Sequence, residues 1–179
     1  KKLAQLHLIE GKFFGLDHDN YIGSLEQINK ECGAWSEFYT NHRLLTLTAK
    51  ARDQGLFEKK HCNWVEKLCQ RLDELIPACR PSLIHGDLWS GNLLIDTSGH
   101  PVLIDPAVYY GHPEMDWAML SLFGSYPVEA LDHYQNLHPL ERGLNERKDI
   151  HQLYPLMVHL ILFGKGYLNG VESTLKKYA

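Results

Sequence analysis

Residues 85–107 read HGDLWSGNLLIDTSGHPVLIDPA. Two short apolar runs, Asn92 to Ile95 and Pro101 to Asp105, flank DTSGH, where Gly99 can take the positive φ of a tight turn. The expected unit is a small β-hairpin. Antiparallel strands return the chain to its start, so Asp87 and Asn92, before the first strand, come beside Asp105 at the end of the second. Asp, Asn and Asp together offer hard oxygen ligands, which suit Mg²⁺ because it is usually held by one or two carboxylates plus substrate phosphates. Turn chemistry is the bland alternative, since Asp and Asn often bond their own backbone. It would have to apply at three separated positions at once.

Outside the hairpin the pattern is helical. Lys1 to Glu10 has apolar residues at Leu3, Leu6 and Ile9 before Gly11, which predicts a helix with a glycine cap. Gly11 to Gly33 is irregular and reads as loop. Trp35, Phe38, Tyr39, His42, Leu45 and Ala49 recur at helical spacing, as do Trp64, Val65, Leu68, Cys69, Leu72 and Ile76. Pro113 suits a first helical position with acidic residues in the turn after it. A further helix is expected from Pro127 to about Asn136, and a long one from Asn145 to Asn169 that Pro155 must kink or divide. Strands are expected only around the opening stretch, giving one domain over 1–179 that is mainly α with a small β-hairpin.

The composition excludes several classes. A net charge of −4, with no basic run carrying interleaved aromatics, argues against nucleic acid. The longest apolar run, LYPLMVHLILFGKGYL, contains Pro155, His159 and Lys165 and falls short of the roughly 20 residues of a membrane span, so no membrane partner is expected. Cys32, Cys62, Cys69 and Cys79 form no C-x-x-C pair, and no glycosylation acceptor or signal peptide is visible, which reads as reduced thiols in the cytoplasm. Most of the eleven histidines are expected at the surface.

Asp87 precedes Asn92 by five positions, the spacing of the protein-kinase catalytic loop H-R-D-x-x-x-x-N. HGDLWSGN followed by LIDPA resembles the catalytic loop and metal-binding segment of the aminoglycoside phosphotransferase and choline kinase group. The wording Trp89-Ser90-Gly91-Asn92, with WSEFYTNHRLLTLTAKARDQGLF upstream and YYGHPEMDWAMLSLFG downstream, resembles the fructosamine kinase (ketosamine kinase) family over nearly the whole chain.

That resemblance implies the C-terminal lobe of a protein-kinase-like fold and ATP-dependent phosphorylation of a sugar hydroxyl on a ketosamine or related amine. Asp87 would be the catalytic aspartate, with Asn92 and Asp105 as Mg²⁺ ligands. Trp89 would face the sugar, and Tyr109, His112 and Glu114, in or just after the loop that follows Asp105, would contact the acceptor. His85 and Asp116 would support the loop backbone. Gly86 stands where protein kinases carry an arginine, so no activation-loop phosphate switch is expected. Pro106 fixes its own φ and restricts Asp105, which argues against large flips there.

A phosphoryl-transfer site also needs a cover over the ATP phosphates and a strand-borne lysine. GKGYLNG, from Gly164 to Gly170, lacks the spacing of such a cover, and no strand like V-A-I-K occurs. The resemblance therefore implies an absent N-terminal nucleotide lobe and an isolated chain that is inactive. The alternatives are an aminoglycoside or choline-type acceptor on the same fold, and a kinase-like module that only binds.

Overall fold

The computed structural model describes residues 1–124, 126 and 128–178. Helices α1 (Lys2–His7), α2 (Trp35–Tyr39), α3 (Leu45–Asp53), α4 (Lys59–Cys69), α5 (Leu72–Leu75), α6 (Glu114–Leu120), α7 (Val128–Gln135), α8 (Leu144–Phe163) and α9 (Leu168–Tyr178) dominate. The strands pair as two-stranded antiparallel sheets: β1 (Asn20–Ile22) with β2 (Leu25–Gln27), β3 (Ser82–Ile84) with β6 (Tyr109–Gly111), and β4 (Leu93–Ile95) with β5 (Pro101–Leu103). None of the described helices is long and apolar enough to cross a membrane.

The expected hairpin is the β4–β5 pair, with Leu93 opposite Leu103 and Gly99 at φ +80° in its turn. Strands are not confined to it. Gly11 to Gly33, read as loop, contains the β1–β2 hairpin, whose three-residue strands are too short for a period-2 pattern to stand out. β3 and β6 pair across the 24 residues between them, Ser82 facing Gly111, a partnership no local pattern announces.

Helix ends differ as well. Gly11 is not a cap: α1 stops at His7, and a Cβ on Gly11 would lie 2.6 Å from the Tyr110 ring. Pro113 precedes α6 as its N-cap. α4 begins at Lys59, five residues before Trp64, and α5 is a separate short turn. α7 runs from Val128, and Pro127 lies outside the described residues. Among the histidines, His7, His61, His85, His112 and His151 are buried, each in a polar or aromatic contact that composition could not reveal.

Between α2 and α3 the helix widens into a π-turn over Thr40–Leu44, and α8 passes through Pro155 without breaking. These two irregularities meet. The Tyr39 hydroxyl donates to the Ile150 carbonyl at 2.7 Å and accepts from the Tyr154 amide at 3.3 Å, so a side chain is inserted into the helical ladder one step before the proline. α8 ends at Gly164, φ +89°, where a short turn redirects the chain into α9 rather than extending the helix to Asn169.

The main core joins α2 to α5 with α8 and α9 around Tyr39, Leu44, Leu68, Leu72, Leu153 and Leu160. A smaller cluster of Ala4, Trp117 and Tyr134 holds α1, α6 and α7 together. The stretch 85–107 emerges between the two.

Candidate functional site

β3 delivers His85 to the edge of the core. Its amide and that of Gly86 donate to the two oxygens of buried Asp116 on α6, at 2.8 and 3.0 Å. The His85 ring spans the loop: Nε2 donates to the Ile104 carbonyl at 3.0 Å, and Nδ1 accepts from the Asp87 amide at 3.3 Å. These partners assign the neutral Nε2–H tautomer. Gly86 lies at φ +80°, and a Cβ there would sit 2.1 Å from the Ala107 carbonyl oxygen. Only glycine lets the two segments approach so closely.

Asn92 ties the loop into a ring, its Nδ2 donating to the Asp87 carbonyl at 2.9 Å and to Asp87 Oδ2 at 3.1 Å. The Ile104 amide donates to the Asn92 carbonyl at 3.0 Å, which sets Asp105 beside the pair. Burial pushes the Asp87 carboxyl above its ordinary range and the charge of Asp105 adds to the effect, while His85, His159 and Asn92 pull it down. Asp105 itself is exposed at φ +53°. Pro106 was expected to restrict Asp105; the conformation found is left-handed, which Asp tolerates better than most residues and which costs energy all the same. With the Asn92 nitrogen committed to Asp87, the Asn92 oxygen and the Asp105 carboxylate are a hard-oxygen pair of the kind Mg²⁺ takes.

Trp89 is 39% exposed, its ring lying over Gly91, where a Cβ would be 2.2 Å away. It begins an aromatic wall that the sequence reading missed. Phe123 stands edge-on to Trp89 at 6.4 Å, His159 packs on Phe123 at 4.7 Å, and Tyr167 and Phe163 follow at 5.1 and 5.4 Å from His159. His159 donates from Nδ1 to the Pro155 carbonyl at 2.8 Å.

Tyr109, His112 and Glu114 do not join this surface. They were expected to contact the acceptor, but all three are buried, Tyr109 on β6 where it pairs with β3 and Glu114 at the start of α6. Tyr109 packs beneath the Arg43 guanidinium, 4.1 Å from its ring centre. His112 takes the Glu114 amide on Nδ1 at 3.2 Å, and burial, with His151 next, lowers it to about 3. Glu114 receives Arg147 on both oxygens. Burial pushes that carboxyl up, but His151 and Arg147 outweigh it and hold it at about 2. His151 Nε2 lies 3.3 Å from Glu114 without a well-aligned hydrogen bond, so we assign the main share to Arg147. The His112–Glu114–His151 cluster groups three side chains of metal-ligating type, yet Arg147 already balances the carboxylate. A cavity of about 210 Å³ touching His112 and Glu114 is walled by Glu10, Pro77, Arg80 and Pro139 and reaches none of Asp87, Trp89, Asn92 or Asp105.

A second polar network props the segment after Asp105. Gln27 donates to the Ala107 carbonyl at 3.2 Å and Asn20 to that of Val108 at 2.8 Å, and Tyr154 donates to Gln27 at 2.7 Å.

A fructosamine kinase family model matches residues 1–179. The "Probable ketoamine kinase" of Lactiplantibacillus plantarum is 42% identical over 178 residues, covering 98% of this chain and 64% of that protein. The "Protein-ribulosamine 3-kinase, chloroplastic" of Arabidopsis thaliana is 36% identical over 184 residues, covering 99% and 55%. The crystal structure of a "putative fructosamine-3-kinase" from Thermobifida fusca superposes with a TM-score of 0.92 at 40% identity, covering 98% of this chain and 61% of that one. The chain thus spans between about half and two thirds of each of these proteins.

Proposed function

This chain belongs to the fructosamine kinase family, and from that premise we propose that it is the catalytic-loop and acceptor-binding lobe of a kinase that phosphorylates a sugar hydroxyl of a ketosamine. The observation that carries the reading is the Asp87–Asn92 hydrogen bond with Asp105 alongside. Asp87 orients the acceptor hydroxyl and takes its proton as the new O–P bond forms and the bond from the transferred phosphorus to ADP breaks. Its raised carboxyl makes it a better proton acceptor than an ordinary aspartate once ionised. Asn92 and Asp105 would hold Mg²⁺, which supplies charge neutralisation on the phosphates. Trp89 covers the less polar face of the sugar, and Phe123, His159 and Tyr167 continue that wall for the substituent on the amine.

The outer side of β4–β5 supports the lobe assignment. Leu94, Val102 and Ile104 are exposed on one side of it, an apolar face suited to the nucleotide base and to a covering lobe. With no phosphate-covering glycine loop or strand lysine among these 179 residues, the chain alone is expected to turn over negligibly.

The test is a coupled assay of MgATP consumption by the complete protein with fructosamines, ribulosamines, aminoglycosides and choline. Turnover confined to the ketosamines supports the reading. Preference for an aminoglycoside or choline, or no turnover with any acceptor, overturns it.

A further inference from the structure

Three helices converge on the support of the catalytic loop. His7, the last residue of α1, is fully buried, with Nε2 3.0 Å from Asp116 Oδ2 on α6 and Nδ1 2.6 Å from the Tyr134 hydroxyl on α7. Asp116 already accepts the amides of His85 and Gly86. The Asp116 oxygens can only accept, so Nε2 is the donor to them, and Nδ1 is left to pair with the Tyr134 hydroxyl. Burial first, and then the charge of Asp116, keep Tyr134 a neutral phenol. One chain of bonds therefore links Tyr134 through His7 to Asp116.

Among the described residues no lysine or arginine comes within ion-pair distance of Asp116; His7 is its sole side-chain partner there. The His7 Nε2–H adds a third bond to the carboxylate that the two loop amides share. Without His7, the buried carboxylate would be oriented only by the two amides it is meant to orient.

We propose that His7, backed by Tyr134, is a positioning residue for phosphoryl transfer: it fixes the rotamer of Asp116 and through it the His85–Gly86 backbone from which Asp87 projects. The catalytic part of this inference rests on the kinase reading above; the alignment of the loop does not.

The experiment compares His7→Leu, His7→Gln and Tyr134→Phe with wild type in the complete protein, reading kcat, KM, thermal melting and amide hydrogen exchange at His85 and Gly86. His7→Leu is expected to lower kcat by about 10- to 100-fold, as expected when a reacting group is slightly misplaced, with acceptor KM changed by less than about threefold because the aromatic wall is untouched. Tyr134→Phe should show a smaller loss, and His7→Gln, which keeps an N–H donor, should recover part of the kcat lost in His7→Leu. Exchange at the two amides should quicken in the same order.

A role in folding alone would lower the melting temperature of His7→Leu while the folded protein kept wild-type kcat and slow amides, and that result overturns the proposal. If wild type phosphorylates no ketosamine, the kinase reading fails by itself. The amides then decide: unchanged protection in His7→Leu overturns the positioning role, and loss of protection supports it.

Discussion

The two halves of the stretch 85–107 are built on opposite terms. From His85 to Asn92 the chain is fastened from below by Asp116, by the His85 ring and by the Asn92 amide. From Leu93 to Pro106 every residue is exposed except Leu103, which is half-buried. The first half obtains its geometry from buried polar groups with few alternative partners, so the position of Asp87 is a property of the fold. The second half presents Asp105 on a hairpin with one apolar face uncovered, so its precision depends on what lies against it.

The largest expected break is chemical. Asp87→Asn in the complete protein should cost on the order of 10² to 10⁴ in turnover if Asp87 acts as general base. The same variant should be more stable than wild type at pH 7. A carboxyl whose folded pKa is raised adds stability below its unfolded pKa and loses it as pH rises through the folded value. Denaturation midpoints alongside kcat check both halves of the statement.

Next comes the buried pair beneath the loop. Glu114→Gln strands Arg147 and should destabilise by about 3–5 kcal/mol, read from urea unfolding at neutral pH. Its pH course has the opposite sign to that of Asp87. Held at about 2, Glu114 contributes fully above its unfolded value of about 4.3, and the contribution is lost as pH falls through about 2. The wild type and the variant should converge in stability at the acid end of that window.

Gly86→Ala tests the close approach itself. The left-handed φ costs about 1–2 kcal/mol for a residue with a Cβ, and displacement of the Ala107 carbonyl adds to it. Melting should drop, and turnover should fall further than the melting predicts. The smallest effect belongs to the hairpin. Leu94→Ser, at a side chain 49% exposed, should leave the stability of the isolated chain within about 0.5 kcal/mol. A clear loss in the complete protein alone would show that the face is covered there.

This contrast also explains what could be read from sequence. Asp87, Asn92 and Asp105 lie on one hairpin and its approach, where spacing and strand reversal are local physics, so their convergence was legible. Phe123, His159, Phe163 and Tyr167 are brought towards Trp89 by the packing of α6 and α8, His7 reaches Asp116 from 109 positions away, and Tyr134 reaches His7 from 127. No periodicity carries that information. Tyr109, His112 and Glu114 mislead for a related reason. A polar loop after a metal-binding segment reads as a ligand surface, and the burial depends on β3, Arg43 and Arg147, each remote in sequence. For Glu114, a first-turn acid has a sufficient local explanation in the helix dipole, which concealed its partner 33 residues on.

The Tyr39 hydroxyl inside the ladder of α8 carries a consequence for how this sequence can change. Pro155 removes an amide that the helix would otherwise use, and Tyr39 occupies the neighbouring gap with one phenolic oxygen from another helix. The two positions are therefore epistatic. Phenylalanine at 39 removes the hydroxyl beside the His151 carbonyl, which the proline leaves without its helical donor, whereas the same replacement beside an alanine at 155 meets a ladder able to close on itself. Divergence at either site is conditional on the other, and the pair should be inherited as a unit even though its members stand 116 positions apart.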